Sequence, residues 1–161
     1  ALVDEFGARD LLPEGCDDCV SNGHLTGVLE RNLVDDPRLR IGVYSTWEDS
    51  VMANIFLDVP PESFADAVDQ ETTALHQAFP DRYRRFLIQG TSHTTLLGDP
   101  SGIVGNDLGA VEVPPESAAL LVELSLGALD TTAAADGTRF LPWMIDLVED
   151  GPRWVDIADP R

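Results

Sequence analysis

The sequence contains no lysine, and its ten basic residues are all arginine. Against them stand 29 aspartates and glutamates, so the formal net charge is -19. A chain this acidic repels phosphate backbones, which argues against a nucleic-acid partner. The exclusive use of arginine indicates genome composition or a saline habitat, and it does not point to a binding site.

Long hydrophobic runs are also missing. No stretch approaches the roughly 18 consecutive apolar residues that a membrane-spanning helix needs. A basic segment followed by an apolar stretch, which marks a signal peptide, is not visible either. With 161 residues, 43% of them hydrophobic, the chain can bury a core, and we expect one domain or part of one.

Only two cysteines occur, Cys16 and Cys19, in the segment GCDDC. Such a pair can form a local disulfide, supply half of a zinc site, or act as a redox couple. Zinc would need further ligands, and only Asp17, Asp18 and His24 lie near. A redox pair normally begins a helix that follows a strand, and no strand is predicted before Cys16. We therefore expect a structural disulfide in an oxidising compartment, without a bound metal.

The apolar spacing predicts alternating helices and strands. Strands are predicted at 38–45 and 82–90, and helices at 23–34, 51–57, 60–80, 116–130 and 138–149. Residues 98–115 are rich in Gly and Pro and are predicted as a loop, and 151–161 as an extended tail. This alternation is typical of a parallel α/β sheet flanked by helices. Such sheets commonly have four or more strands, and only two are predicted here. We therefore expect the chain to form the second half of a larger sheet.

Polar residues follow both predicted strands, where functional groups gather in open parallel sheets. The first strand leads to Glu48 and Asp49, and the second leads to His93. Adjacent parallel strands would bring Asp49 and His93 to one edge of the sheet. A carboxylate that orients one imidazole nitrogen leaves the other nitrogen to act as a base. As alternatives, Asp49 caps the following helix, Glu48 is the acid, or His93 is a structural histidine.

A serine nucleophile is not evident in the sequence. The G-x-S-x-G elbow of α/β-hydrolases does not occur, because GTSHT and GDPSG both depart from it. In those enzymes the triad follows the chain order Ser, acid, His. A C-terminal half would therefore carry the acid and the histidine and lack the serine.

Three segments of the sequence together resemble the C-terminal half of the pectinacetylesterase and Notum-like carboxylesterases. They are RIGVYSTWEDSVM, FPDRYRRFLIQGTSHTTLL and FLPWMIDLVEDGPRW. The resemblance covers most of residues 1–100, including LLPEGCDDC, and part of 138–154. It implies that 1–161 is the C-terminal portion of one α/β-hydrolase domain. It also implies a triad Asp at Asp49, four residues after Ser45, and a catalytic His at His93, in the G-x-x-H-T segment that begins at Gly90.

The expected activity is hydrolysis of a carboxylic ester, such as an acetylated polysaccharide or another short-acyl ester, without a cofactor. The nucleophilic serine is expected on a companion N-terminal segment or chain, and the protein is expected outside the cytoplasm. Trp47 is a candidate for lining the substrate pocket, with a core position as the alternative. His24 and His76 are expected to be ordinary packed or surface residues. The competing hypothesis is a non-catalytic binding or assembly module.

Overall fold

A computed structural model describes Gly7, residues 11–16, 18–20 and 24–93, Leu129 and residues 131–161. The chain divides into two compact units, residues 1–41 with 70–83 and residues 42–69 with 84–161. The predicted loop 98–115 and nearly all of the predicted helix 116–130 lie outside the described residues. The assignment of residues 1–161 to one domain stays a prediction.

The described elements follow the predicted order and add a short third strand. They are α1 (Thr26–Asp35), β1 (Ile41–Thr46), a π-helix (Val51–Leu57), α2 (Pro61–Ala78), β2 (Tyr83–Ile88), α3 (Phe140–Glu149) and β3 (Ile157–Ala158). The predicted strands and the four predicted helices that fall on described residues are confirmed, with boundaries that differ by a few residues. α2 begins at Pro61 with Glu62 in its first turn, as expected from the preference for Pro and acids there.

The three strands form one parallel sheet flanked by helices, in the order β1-β2-β3. The Ile41 N–H donates to the Arg82 carbonyl at 2.8 Å, and the Trp47 N–H donates to the Ile88 carbonyl at 2.9 Å. Because the sequence offset between β1 and β2 is the same at both ends, the two strands run parallel without a bulge. The α/β class predicted from the sequence is confirmed at this level.

Strand β3 lies in the segment predicted as an extended tail. Phe86 pairs with Ile157 and Leu87 pairs with Ala158, both in parallel register. The Arg85 backbone N–H and guanidinium both donate to the Asp156 carboxylate, at 2.9 and 2.7 Å. Two residues carry no periodicity, so this strand is defined by its tertiary contacts and not by a sequence pattern. Strand β2 is consequently the middle strand of the described sheet.

The core of the second unit is an aromatic cluster between the sheet and α3. Phe86 lies 5.1 Å from Phe140 and 5.4 Å from Trp143, measured between ring centroids. Trp143 is 1% exposed, and a Cβ atom at Gly42 would lie 2.8 Å from its ring. Only glycine therefore lets β1 pass this close to the indole. Trp143 and Trp154 are both buried in this cluster.

An ion pair closes the end of α3. The buried Asp146 carboxylate accepts from the Arg153 backbone N–H and from its guanidinium, each at 2.7 Å. The hydrogen bond from the Arg153 side chain lowers the pKa of Asp146, and burial opposes this effect. The connection from α3 toward β3 is therefore fixed by charge-assisted hydrogen bonds.

The first unit contains α1, the second half of α2 and the Cys16–Cys19 disulfide, which confirms the expected disulfide. Arg82 donates to the carbonyls of Leu33 and Asp36, where α1 ends and the helix leaves carbonyls without intrahelical donors. Among the helices of the described ranges, none combines the length and the apolar character required to cross a bilayer.

Candidate active site

The segments that follow β1 and β2 stay hydrogen-bonded beyond the ends of the strands. The Glu48 N–H donates to the Gly90 carbonyl at 3.1 Å. The Ser50 N–H and hydroxyl both donate to the Thr91 carbonyl, at 3.2 and 3.1 Å. The two loops are thus extensions of the parallel ladder, and they hold the carboxyl edge of the sheet in a defined arrangement.

Two residues direct the chain from β2 to His93. Gly90 has φ +125°, a backbone conformation that residues other than glycine rarely adopt. The buried Thr46 hydroxyl donates to the Ser92 carbonyl at 2.8 Å, which fixes the residue before His93. The contribution of Thr46 was not anticipated, although a hydroxyl at the end of a strand beside a histidine loop is a signal that could have identified it.

Asp49 has two roles that the sequence presented as alternatives. Its carbonyl accepts from the Ala53 N–H at 2.9 Å, which begins the helical hydrogen bonding. Its Oδ1 accepts from the N–H groups of Val51 and Met52 at 3.1 and 2.9 Å, as an N-cap does. These donors hold the carboxylate in one orientation, and only 4% of the side chain is exposed.

The same carboxylate contacts His93. Nδ1 of His93 lies 2.9 Å from Oδ2 and 3.2 Å from Oδ1 of Asp49. With Nδ1–H donating to the carboxylate, the neutral imidazole carries its basic lone pair on Nε2. The His93 side chain is 36% exposed, so the ring lies at the surface above a buried acid. The predicted proximity of the two residues is found, and a catalytic role for them stays a prediction.

The other residues considered for this edge lie elsewhere or make other contacts. Glu48 is exposed, and the acid that contacts His93 is Asp49. Trp47 is 3% exposed, packs with Leu87 in the core, and donates from Nε1 to the Asp159 carbonyl at 2.9 Å. Trp47 therefore occupies a core position, which was the alternative to lining a substrate pocket. Almost none of its indole surface is left for a substrate.

The remaining histidines and the cysteines lie in the first unit. Nδ1 of His76 is 2.9 Å from the Tyr83 carbonyl, and His24 is exposed. Because both sulfur atoms form the disulfide, Cys16 and Cys19 offer no thiolate to a metal. The zinc alternative is therefore overturned. Over the residues for which the structure gives positions, no three His, Cys, Asp or Glu side chains cluster as metal ligands would.

Comparisons with known proteins identify no relative for this chain. No protein-family model matches the sequence, and searches of curated proteins and of solved structures find no match.

Proposed function

We propose that this chain is the C-terminal portion of a serine carboxylesterase of the α/β-hydrolase type, and that it supplies the acid and the base of a Ser-His-Asp triad. The observation that carries the proposal is the contact between the buried Asp49 carboxylate and Nδ1 of His93 at the carboxyl edge of a parallel sheet. Open α/β sheets bind their ligands at this edge.

In the reaction we propose, Nε2 of His93 takes the proton of a serine hydroxyl while the serine oxygen attacks the ester carbonyl carbon. The tetrahedral intermediate collapses, and His93 returns the proton to the leaving alcohol, so that an acyl-enzyme forms. Water then attacks the acyl group by the same proton path and releases the acid and the free serine. Asp49 holds the imidazole tautomer and stabilises the imidazolium. No cofactor enters this sequence of steps.

The serine and the oxyanion-hole donors would come from an N-terminal segment or companion chain. In support, β1 lies at one edge of the described sheet, and residues 41–45 are only partly buried although three of them are Ile, Val and Tyr. Strand β2, which has neighbours on both sides, is buried at five of its six residues. A further strand beside β1 would bury this edge and bring a nucleophile to the face of His93. A secreted or extracytoplasmic location is supported by the disulfide.

Hydrolysis of short-acyl esters by the native protein that contains this chain tests the proposal. We expect His93→Ala to lower kcat/KM by about 10³- to 10⁴-fold, since a triad without its base keeps only residual catalysis. The matched control is His24→Ala, which removes an exposed histidine of the other unit and should leave the rate unchanged.

Labelling with a serine-reactive fluorophosphonate, followed by peptide mass spectrometry, locates the nucleophile. We expect one labelled serine, and we expect His93→Ala to abolish the labelling because the serine then lacks its base. Absence of both hydrolysis and labelling would favour the non-catalytic module. An unchanged rate in His93→Ala would also overturn the proposal.

A further inference from the structure

The unit that contains His93 is strongly acidic. Residues 42–69 and 84–161 contain 18 acidic residues and five arginines, a formal net charge of -13. The site is built from the segments that contain Asp49 and His93. Each segment lies in a long stretch of sequence without arginine, residues 41–81 for the first and 86–138 for the second. The exposed Glu48 is the immediate neighbour of Asp49 in the chain. The unit that carries the site therefore has a large negative formal charge, and its described residues alone contain 12 acids against the same five arginines.

Two of the five arginines of this unit are neutralised by buried or half-buried acids. The Arg85 side chain is 10% exposed and lies 2.7 Å from the Asp156 carboxylate. Arg153 lies at the same distance from Asp146. Neither guanidinium can offer its charge to a substrate without losing these bonds.

Two more arginines hold the ends of the chain's C-terminal segment. Arg161 lies 2.6 Å from Asp66. Arg84 donates to the Trp154 carbonyl and stacks over its ring, with 4.8 Å to the centroid. Arg139, which is exposed and directly precedes α3, is the remaining arginine of this unit.

From this charge distribution we propose that the ester hydrolysed at the His93 site is uncharged, and that polyanionic esters such as acetylated polyuronates are disfavoured. The inference rests on the function proposed above. A negative field around a cleft lowers the local concentration of an anionic substrate, just as a field of the opposite sign raises it by 10- to 1,000-fold. An uncharged glycan or short-acyl ester approaches without that cost.

The test uses an O-acetylated oligogalacturonate and the same oligomer with its carboxylates methyl-esterified, which removes the negative charges, and acetate release is measured for both. We expect kcat/KM of the native protein for the anionic form to be at least about tenfold lower at about 0.1 M NaCl. The difference should fall to less than about threefold at about 1 M, where the Debye length is near 3 Å. The ratio of the two rates at each salt concentration cancels any effect of salt on folding.

Variants test the electrostatic cause. Glu48→Gln should raise kcat/KM for the anionic oligomer about two- to threefold at low salt. This is the effect expected from removing one exposed negative charge several ångströms from an anionic substrate. It should leave the methyl-esterified oligomer unchanged. Glu149→Gln is the control and should change neither rate. Glu149 is exposed at the end of α3, two residues after Leu147. Leu147 packs beside Gly42 at the start of β1, whereas the site lies beyond the end of that strand. Arg139→Gln should lower neither rate.

The outcomes separate the two proposals. Hydrolysis of both oligomers at equal rates, or faster hydrolysis of the anionic one, overturns the substrate inference and supports the esterase activity. A loss of anionic hydrolysis in Arg139→Gln, or no gain in Glu48→Gln, contradicts the electrostatic argument. If neither oligomer nor any simple ester is hydrolysed, the proposed function fails and the substrate inference fails with it.

Discussion

The Asp49 carboxylate has three nitrogen partners: the Val51 and Met52 N–H groups donate to Oδ1, and Nδ1 of His93 lies closest to Oδ2. The residue is thus both the cap of the π-helix and the partner of a histidine 44 residues away in sequence. One role stabilises local structure and the other positions a ring, so substitutions that separate the roles are informative.

Asp49→Asn should keep the fold and abolish activity. Asn is as good a cap as Asp, so we expect the free energy of unfolding to change by less than about 0.5 kcal/mol. An amide stabilises the imidazolium poorly and permits the wrong tautomer, so kcat should fall by about 10³- to 10⁴-fold. Asp49→Ala should lose the same activity and in addition about 1 kcal/mol of stability. Urea unfolding and ester hydrolysis measure the two effects, and normal activity in Asp49→Asn would refute the pairing.

Thr46→Val should impair the positioning of His93. The substitution keeps the shape of the buried side chain and removes the hydrogen bond to the Ser92 carbonyl. Since such a bond contributes about 1 kcal/mol, we expect kcat to fall roughly fivefold, with KM unchanged. Thr46→Ser keeps the donor and should restore most of kcat. Equal activities of the Val and Ser variants would show that Thr46 only fills space.

The Asp146–Arg153 pair predicts a dependence of stability on pH. The hydrogen bond from the Arg153 side chain lowers the pKa of Asp146 from the ordinary value of 3.8. The contribution to stability is therefore complete above this value and is lost as the pH falls through the lower pKa of the folded state. Asp146→Asn should be less stable than the unmodified protein near neutrality, with a difference that narrows below about pH 4. Glu149→Gln, a change at an exposed acid near the same helix end, is the control. Urea unfolding curves across this pH range measure the difference, and a constant gap would contradict the linkage.

Gly42→Ala should destabilise the aromatic core. The added methyl group would lie 2.8 Å from the Trp143 ring and 2.9 Å from Leu147, too close without a displacement of β1 or α3. We expect a loss of about 1–3 kcal/mol in the free energy of unfolding, as for other overpacked cores. Leu147→Ala in the Gly42→Ala background should recover part of it if the clash is the cause. Additive losses in the double variant would show that the clash is not relieved there.

The sequence alone determined the α/β class and the order of the larger elements, because apolar periodicity and strand composition are local properties. It also brought Asp49 and His93 forward as partners, since parallel strands place their carboxyl ends at one edge. The disulfide was predicted from the spacing of the two cysteines, because few possible zinc ligands lie near them and no strand is predicted before Cys16.

Only the tertiary structure decided the rest. It joined the last residues to β2 as a strand, because the bonds of Asp156 with Arg85 and the pairing with Phe86 and Leu87 are long-range. It also resolved the choice between cap and partner for Asp49 by giving the carboxylate both roles. A local pattern can supply candidates for a site, but orientation depends on hydrogen bonds between residues far apart in the chain, such as that of Thr46 to Ser92.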